Sequence, residues 1–144
     1  MIKSILCPID VSERDEDNEV LRTAWKLAEF HGASLDIMTV VPDYGMSVVG
    51  QFFEKSHHDK MTTHARDLLH KVITATLGDV ADRKIRHIVG TGSAYEQILK
   101  TAANAKTDLI VIGAHKPDFK DYLLGPNAAR VVRHSNCSVY VVRP

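Results

Sequence analysis

The chain has 144 residues, enough for one domain with a core of its own, and residues 1–144 read as that single domain. Apolar residues make up 44% and charged residues 25%, as in ordinary water-soluble proteins, and the 18 basic and 18 acidic residues cancel. No Lys/Arg-rich block and no apolar run of membrane-spanning length is present, so neither a nucleic-acid partner nor a membrane is expected.

The opening MIKSILCPID turns polar after a few apolar residues, which does not suit a signal peptide, and a cytoplasmic protein is the default. Ile2 to Ile9 reads as a first strand, with Pro8 near its end where a missing N–H is tolerated. The polar turn Asp10-Val11-Ser12 and a charged stretch follow. Val20, Leu21, Ala24, Trp25, Leu27 and Ala28 then recur at helical spacing, with Asp15 or Asp17 as the cap and Gly32 as the stop.

Ser34 to Val41 is the second strand, closed by Pro42. A loop is expected from Asp43 to about Lys55. Met61, Ala65, Leu68, Leu69, Val72, Ile73 and Leu77 mark a long helix that Gly78 ends. Ile85 to Val89 is a short third strand and Gly90-Thr91-Gly92 its turn. Ser93 then caps a helix carrying Tyr95, Ile98, Leu99, Ala102 and Ala103 on one side. Leu109 to Ile112 is apolar throughout, as suits a strand buried on both faces of a parallel sheet. Gly113 stops it, a polar loop runs to Gly125, and Pro126 opens a helix with Ala128, Ala129, Val131 and Val132 at its apolar positions. Ser138 to Val142 is a fifth strand. Cys7 and Cys137 both lie in apolar strand-like runs and read as buried structural thiols.

Strands alternating with helices predict an α/β fold, a parallel sheet covered on both faces by right-handed crossovers. Ligands of such open sheets bind beyond the carboxyl ends of the strands, where the strand order reverses. With strand one central and strand four beside it, Asp10-Val11-Ser12 meets Gly113 at that place. The strand–Gly113–loop–Gly125–helix succession offers backbone N–H groups and a positive helix end to an anion, with His115 and Lys116 in the loop. An ordinary surface loop between two turn glycines accounts for the same spacing, and neither GxxxxGK[ST] nor GxGxxG is present to decide it. Asp10 likewise reads as a ligand residue or as the acceptor of an Asx turn, and Ser12 as a ligand residue or, more simply, as a cap on the approach to the helix.

His57, His58, His64 and His70 crowd the long helix beside Asp59 and Asp67. No pair stands at i, i+4 and no HExxH or Cys/His ligand spacing appears, so a solvated helix face and no metal site is expected. No Ser/His/Asp arrangement of a hydrolase can be read either.

The opening ILCPID-V-S, the TVVP at the end of strand two and the closing VIGAHKPDFKDYLLGPNAARVVRHSNCSVYVVRP carry a further reading. Over essentially its whole length the chain resembles the universal stress protein family, of the single-domain bacterial type. The resemblance implies an open five-stranded parallel sheet of order 3-2-1-4-5, Rossmann-like and akin to the adenine nucleotide alpha hydrolases. It implies a homodimer paired through the C-terminal strand, 138–142. In the family's nucleotide-binding branch the last region reads G-x-x-G, a spacer, then G-S or G-T, and the ligand is ATP.

Carried over position by position, Pro8 and Asp10 match residues on the adenine and ribose side, and Val40 an adenine-packing position. Ile112 and Gly113 end strand four, Gly113 matching the first glycine of the motif and Gly125 the last. His115 lies inside that loop, Lys116 stands at the second glycine, and the spacer is one residue shorter. Pro126 replaces the Ser/Thr, which removes a hydroxyl and an N–H from the phosphate cradle. Each lost donor to a charged acceptor is worth on the order of 1–3 kcal/mol. The amides of Asn127 and Ala128 remain, and Lys116 supplies a point charge.

The implied ligand is therefore ATP, AMP or ADP, with Mg2+ as a companion of the triphosphate, and triphosphate binding is expected to be weakened. The implied function is a homodimeric, adenine-nucleotide-binding stress regulator rather than a dedicated enzyme, with slow ATP hydrolysis left open. The competing class is a nucleotide-independent dimeric interaction protein in which Lys116 and Pro126 mark a decayed pocket. ATP pyrophosphatases and class I aminoacyl-tRNA synthetases are disfavoured because SGGxD, HIGH and KMSKS are absent.

Overall fold

The apolar runs of the sequence become strands in the computed structural model, which describes residues 1–12, 17–42, 51–114 and 125–143. Among them the elements run β1 (Ser4–Pro8), α1 (Asn18–His31), β2 (Ser34–Val41), α2 (Gln51–Leu77), α3 (Asp79–Asp82), β3 (Ile85–Thr91), α4 (Ala94–Asn104), β4 (Leu109–Gly113), α5 (Gly125–His134) and β5 (Ser138–Val142). The five strands form one parallel sheet in the order β3-β2-β1-β4-β5, the expected architecture.

Successive residues of a strand face opposite sides of the sheet, so each central strand fills two cores. Ile5, Cys7 and Ile9 of the β1 segment join Leu109 and Val111 on one face, packed against Leu21 and Ala24 of α1 and Leu69 and Ile73 of α2. Leu6, Ile110 and Ile112 take the other face, with Ile98 and Ala102 of α4 and Ala128 and Val131 of α5. Alternation between two apolar layers is why β1 and β4 read as unbroken apolar runs. Each fully buried Ile or Leu contributes about 1.5–3 kcal/mol through the water it leaves.

Helix ends follow their sequence signals in part. Gly32 closes α1 at φ 62°, a left-handed residue, and the following Ala33 N–H returns to the Ala28 carbonyl at 2.9 Å. Asp17 and Ser93 hold the N-cap positions of α1 and α4, yet neither side chain makes the capping bond. Asp15 lies outside the described residues.

Several features differ from expectation. The long helix begins at Gln51, so the loop after strand two ends earlier than Lys55. The short α3 follows it directly. β3 runs on through Gly90 and Thr91, because these residues pair with Val40 and Val41 of β2; only Gly92, at φ 119°, turns the chain. On α4 and α5, Ile98, Ala102, Ala128 and Val131 are buried while Ala103, Ala129 and Val132 face solvent. No helix among the described residues is long and apolar enough to cross a membrane.

Candidate functional site

The strand order reverses between β1 and β4, and there the sheet opens. The two strands are paired only at Ile5 with Leu109 and Leu6 with Ile110. β1 stays with β2 through Pro8 opposite Met38, and the Ile9 N–H continues the ladder to the Met38 carbonyl at 2.8 Å. The chain beyond Leu6 therefore follows β2 and delivers Pro8, Ile9 and Asp10 to the carboxyl end of the sheet.

Asp10 is fixed there from both sides. Its N–H donates to Oδ2 of Asp17 at 2.7 Å, which is where the N-cap side chain of α1 has gone. Its Oδ1 accepts from the Ser12 amide at 2.9 Å and from the Ser12 hydroxyl at 2.6 Å, the geometry of an Asx turn. Its Oδ2 is buried and has no hydrogen-bond partner among the described residues. A buried carboxylate oxygen left without any donor costs about 1–3 kcal/mol. Beneath it lies Cys7, fully buried; loss of water first, and the negative charge of Asp17 second, push its thiol well above the ordinary range.

Asp10 lines a cavity of about 1080 Å³ at this end of the sheet. Pro8, Val40 and Pro42 of the β1 and β2 ends form part of its wall, together with Met61, Ala65 and Leu68 of α2. Two cations also line it, Arg22 from α1 and Lys71 from α2. Arg22 lies 3.6 Å from Glu19 in an exposed pair that costs little to rearrange. Ala94, the first residue of α4, also lines the cavity. The Tyr95 N–H next to it donates to Oδ1 of Asn127 at 3.1 Å, and the Arg130 guanidinium stands 4.9 Å from the Tyr95 ring centre. The first turn of α5 is thus tied to the cavity rim through one hydrogen bond.

The structure brings Pro8, Asp10 and Val40 to one cavity. Ile112 and Ala128 are core residues, buried with Leu6 and Met38, and Gly113 is buried at the end of β4. Asn127 spends its side-chain oxygen on α4, a role its sequence position did not suggest. Gly125 and Pro126 begin α5. His115 and Lys116 lie outside the described residues. Sequence reasoning missed the α2 wall and the Arg22–Lys71 pair of cations that line the cavity. The cue was faint, since among its described side chains α2 buries only Ala65, Leu69 and Ile73 and its cavity side mixes polar and apolar residues.

The histidines also depart from expectation. His64 is exposed as a solvated face requires, although it borders the cavity. His58 Nε2 lies 3.3 Å from the Thr91 hydroxyl. His70 meets Asp82 of α3 and His87 of β3, a grouping that no spacing within one element announces.

The sequence profile of the universal stress protein family matches residues 1–143. Universal stress protein G of Salmonella typhimurium is 30% identical over 150 residues, covering 99% of this chain and all of its own. Among solved structures, the universal stress protein UspA from Lactobacillus plantarum superimposes with a TM-score of 0.79 at 24% identity, covering 99% of this chain and 98% of its own. The universal stress protein from Archaeoglobus fulgidus in complex with dAMP shares the fold with a TM-score of 0.59 at 19% identity, covering 98% of both chains.

Proposed function

The chain belongs to the universal stress protein family, and on that premise we propose that its cavity binds an adenine nucleotide and that the protein acts as a homodimeric, nucleotide-responsive regulator in the cytoplasm. The observation that carries this reading is Asp10: one carboxylate oxygen holds the turn, and the other is buried with no donor among the described residues, beside a cavity of about 1080 Å³. An adenine amino group or a ribose hydroxyl is the donor this oxygen lacks. The volume is ample for a nucleotide, at the upper end of the roughly 300–1,000 Å³ usual for small-molecule sites. Pro8 and Val40 supply apolar surface for the base, and Arg22 and Lys71 supply positive charge on the cavity wall. The phosphates run toward the first turn of α5, at Asn127 and Ala128, with His115 and Lys116 in the sequence that precedes it. The dAMP complex of the Archaeoglobus fulgidus protein supports the ligand class for this fold.

Pro126 shapes the preference. With no N–H and no hydroxyl at that position, ATP gains less over AMP than a Ser or Thr would allow. Dimerisation through β5 is supported by its place at the sheet edge, where Tyr140 is 46% exposed on a largely apolar strand.

Denaturing the purified protein and analysing the released small molecules, followed by calorimetric titration with AMP and with ATP, with and without Mg2+, tests the proposal. An adenine nucleotide carried through purification, or saturable heat with AMP, is the expected result. No released nucleotide and no heat at millimolar AMP or ATP overturns it and leaves the nucleotide-independent dimeric interaction protein. Pro126→Ser is expected to tighten ATP about tenfold and AMP little, as restored donors to a charged group require. Sedimentation at micromolar concentration is expected to show a dimer, and a monomer there removes the β5 pairing.

A further inference from the structure

Away from the cavity, three ligand-bearing side chains converge on the edge of the sheet. Asp82 of α3 receives His87 of β3 through Oδ1 at 2.6 Å from Nε2. Its Oδ2 lies 3.2 Å from Nδ1 of His70 on α2. The two imidazoles face each other with centroids 5.7 Å apart, tilted by 40°. One atom from each residue lies within 4.8 Å of the others. Asp82 and His87 are largely enclosed, with side chains 12% and 19% exposed, whereas that of His70 is 57% exposed.

We propose that His70, Asp82 and His87 form a three-ligand binding site for a borderline divalent cation of the zinc class. Two neutral imidazoles and a carboxylate are the donor set that zinc, copper and nickel take, and that magnesium and calcium leave to all-oxygen sites. Tetrahedral zinc with bonds of about 2.0–2.1 Å sets its donors roughly 3.3 Å apart. The two contacts to Asp82, 2.6 and 3.2 Å, lie just under that figure, so the site forms by opening the Asp82–His87 contact slightly while His70 adjusts. His70 has the room to swing because it stands in solvent, and its exposure leaves the fourth position to water.

The neighbouring cation does not compete for Asp82. Arg86, one residue before His87, faces the opposite side of β3, where its guanidinium holds Asp36 through Nε at 3.1 Å and Nη2 at 2.7 Å. Metal at this place would staple the carboxyl end of α2 to α3 and to the β3 edge. It is separate from the nucleotide reading, since none of its three ligands lines the cavity.

The test uses tag-free full-length protein stripped with a chelator, titrated with Zn2+ against a zinc-responsive dye, and with Co2+ followed by visible absorption. The expected result is one saturable zinc per chain in the micromolar range or tighter, and the intense d–d absorption of four-coordinate cobalt. Affinity should fall about tenfold or more in Asp82→Ala and His87→Ala and be unchanged in His31→Asn, which removes a histidine at the far end of α1. His70→Ala, an exposed truncation that leaves the fold intact, is expected to abolish the cobalt spectrum. Zinc binding that is absent, or that survives His70→Ala at full affinity, overturns the proposal and reduces the trio to a hydrogen-bonded staple.

Discussion

Two aspartates sit at opposite ends of the central strand, and they are used differently. At the amino end, Oδ2 of Asp108 accepts the N–H groups of Lys3 and Ser4 at 2.8 and 3.0 Å, while the Asp108 amide returns to the Ser4 carbonyl at 2.8 Å. That carboxylate is in reach of water and its task is complete: it fastens the start of β1 to the start of β4. At the carboxyl end, Asp10 fastens its own turn with one oxygen, and its other oxygen is buried with no donor among the described residues. On the proposed reading, the first carboxylate serves the fold and the second serves a ligand.

Separating the two roles by mutation is the sharpest trial of this contrast. Asp10→Asn retains an acceptor for Ser12 and removes the one offered to the ligand. Adenine-nucleotide affinity by calorimetry is expected to fall about tenfold to a hundredfold, with the midpoint of thermal unfolding nearly unchanged. The contrast breaks if affinity is kept while the midpoint drops.

Asp108→Ala should do the reverse, lowering the unfolding midpoint by a few degrees without touching nucleotide affinity. Its pH dependence follows from the electrostatics. The Lys3 amide above all holds the Asp108 carboxyl below its ordinary value; desolvation works against it, and the Ser4 amide, the N-terminal ammonium and the Lys3 side chain reinforce it. A carboxyl lowered on folding stabilises above its unfolded pKa of about 3.9, and that stabilisation is lost as pH falls through the lower folded value. The midpoint difference between wild type and Asp108→Ala should therefore be full at pH 7 and shrink below about pH 4. A difference that stays constant into acid would show that the carboxylate charge is not what fastens the strands.

The smallest expected effect belongs to Ser12→Ala. It removes the 2.6 Å hydroxyl bond and keeps the amide bond to the same oxygen. Nucleotide affinity should weaken about two- to fivefold, because the turn still forms but holds Asp10 less firmly. An effect as large as that of Asp10→Asn would place Ser12 itself on the ligand.

The parts legible in the sequence are those set by the chain's near neighbours. β1 and β4 announce themselves because burial on two faces demands unbroken apolar runs, and Gly32 marks a helix end because its φ of 62° suits glycine. What was misread depends on partners far along the chain. Gly90 and Thr91 look like a turn until Val40 and Val41 pair with them. Asp17 and Ser93 stand at cap positions, but Asp17 turns to Asp10, and the Tyr95 amide is met by Asn127 instead. At the candidate site, Asp10 was visible with both of its readings; the geometry shows the Asx turn on one oxygen, and the ligand role of the other is the proposal. The α2 wall was not visible, since a helix that faces both a core and a cavity has no clean apolar stripe to follow. His70, Asp82 and His87 belong to three elements and meet only once the sheet edge is assembled.

The unspent cap of α1 has a consequence in time rather than in energy. Asp17 gives its Oδ2 to the backbone of Asp10 and not to its own helix, so the first turn of α1 lacks the local side-chain lock that would let it hold independently. Opening of that turn and release of the Asp10 amide become a single event. In hydrogen–deuterium exchange the Asp10 amide should share one opening rate with the first-turn amides of α1. A bound ligand that steadies Asp10 would then slow exchange in a helix that it need not touch.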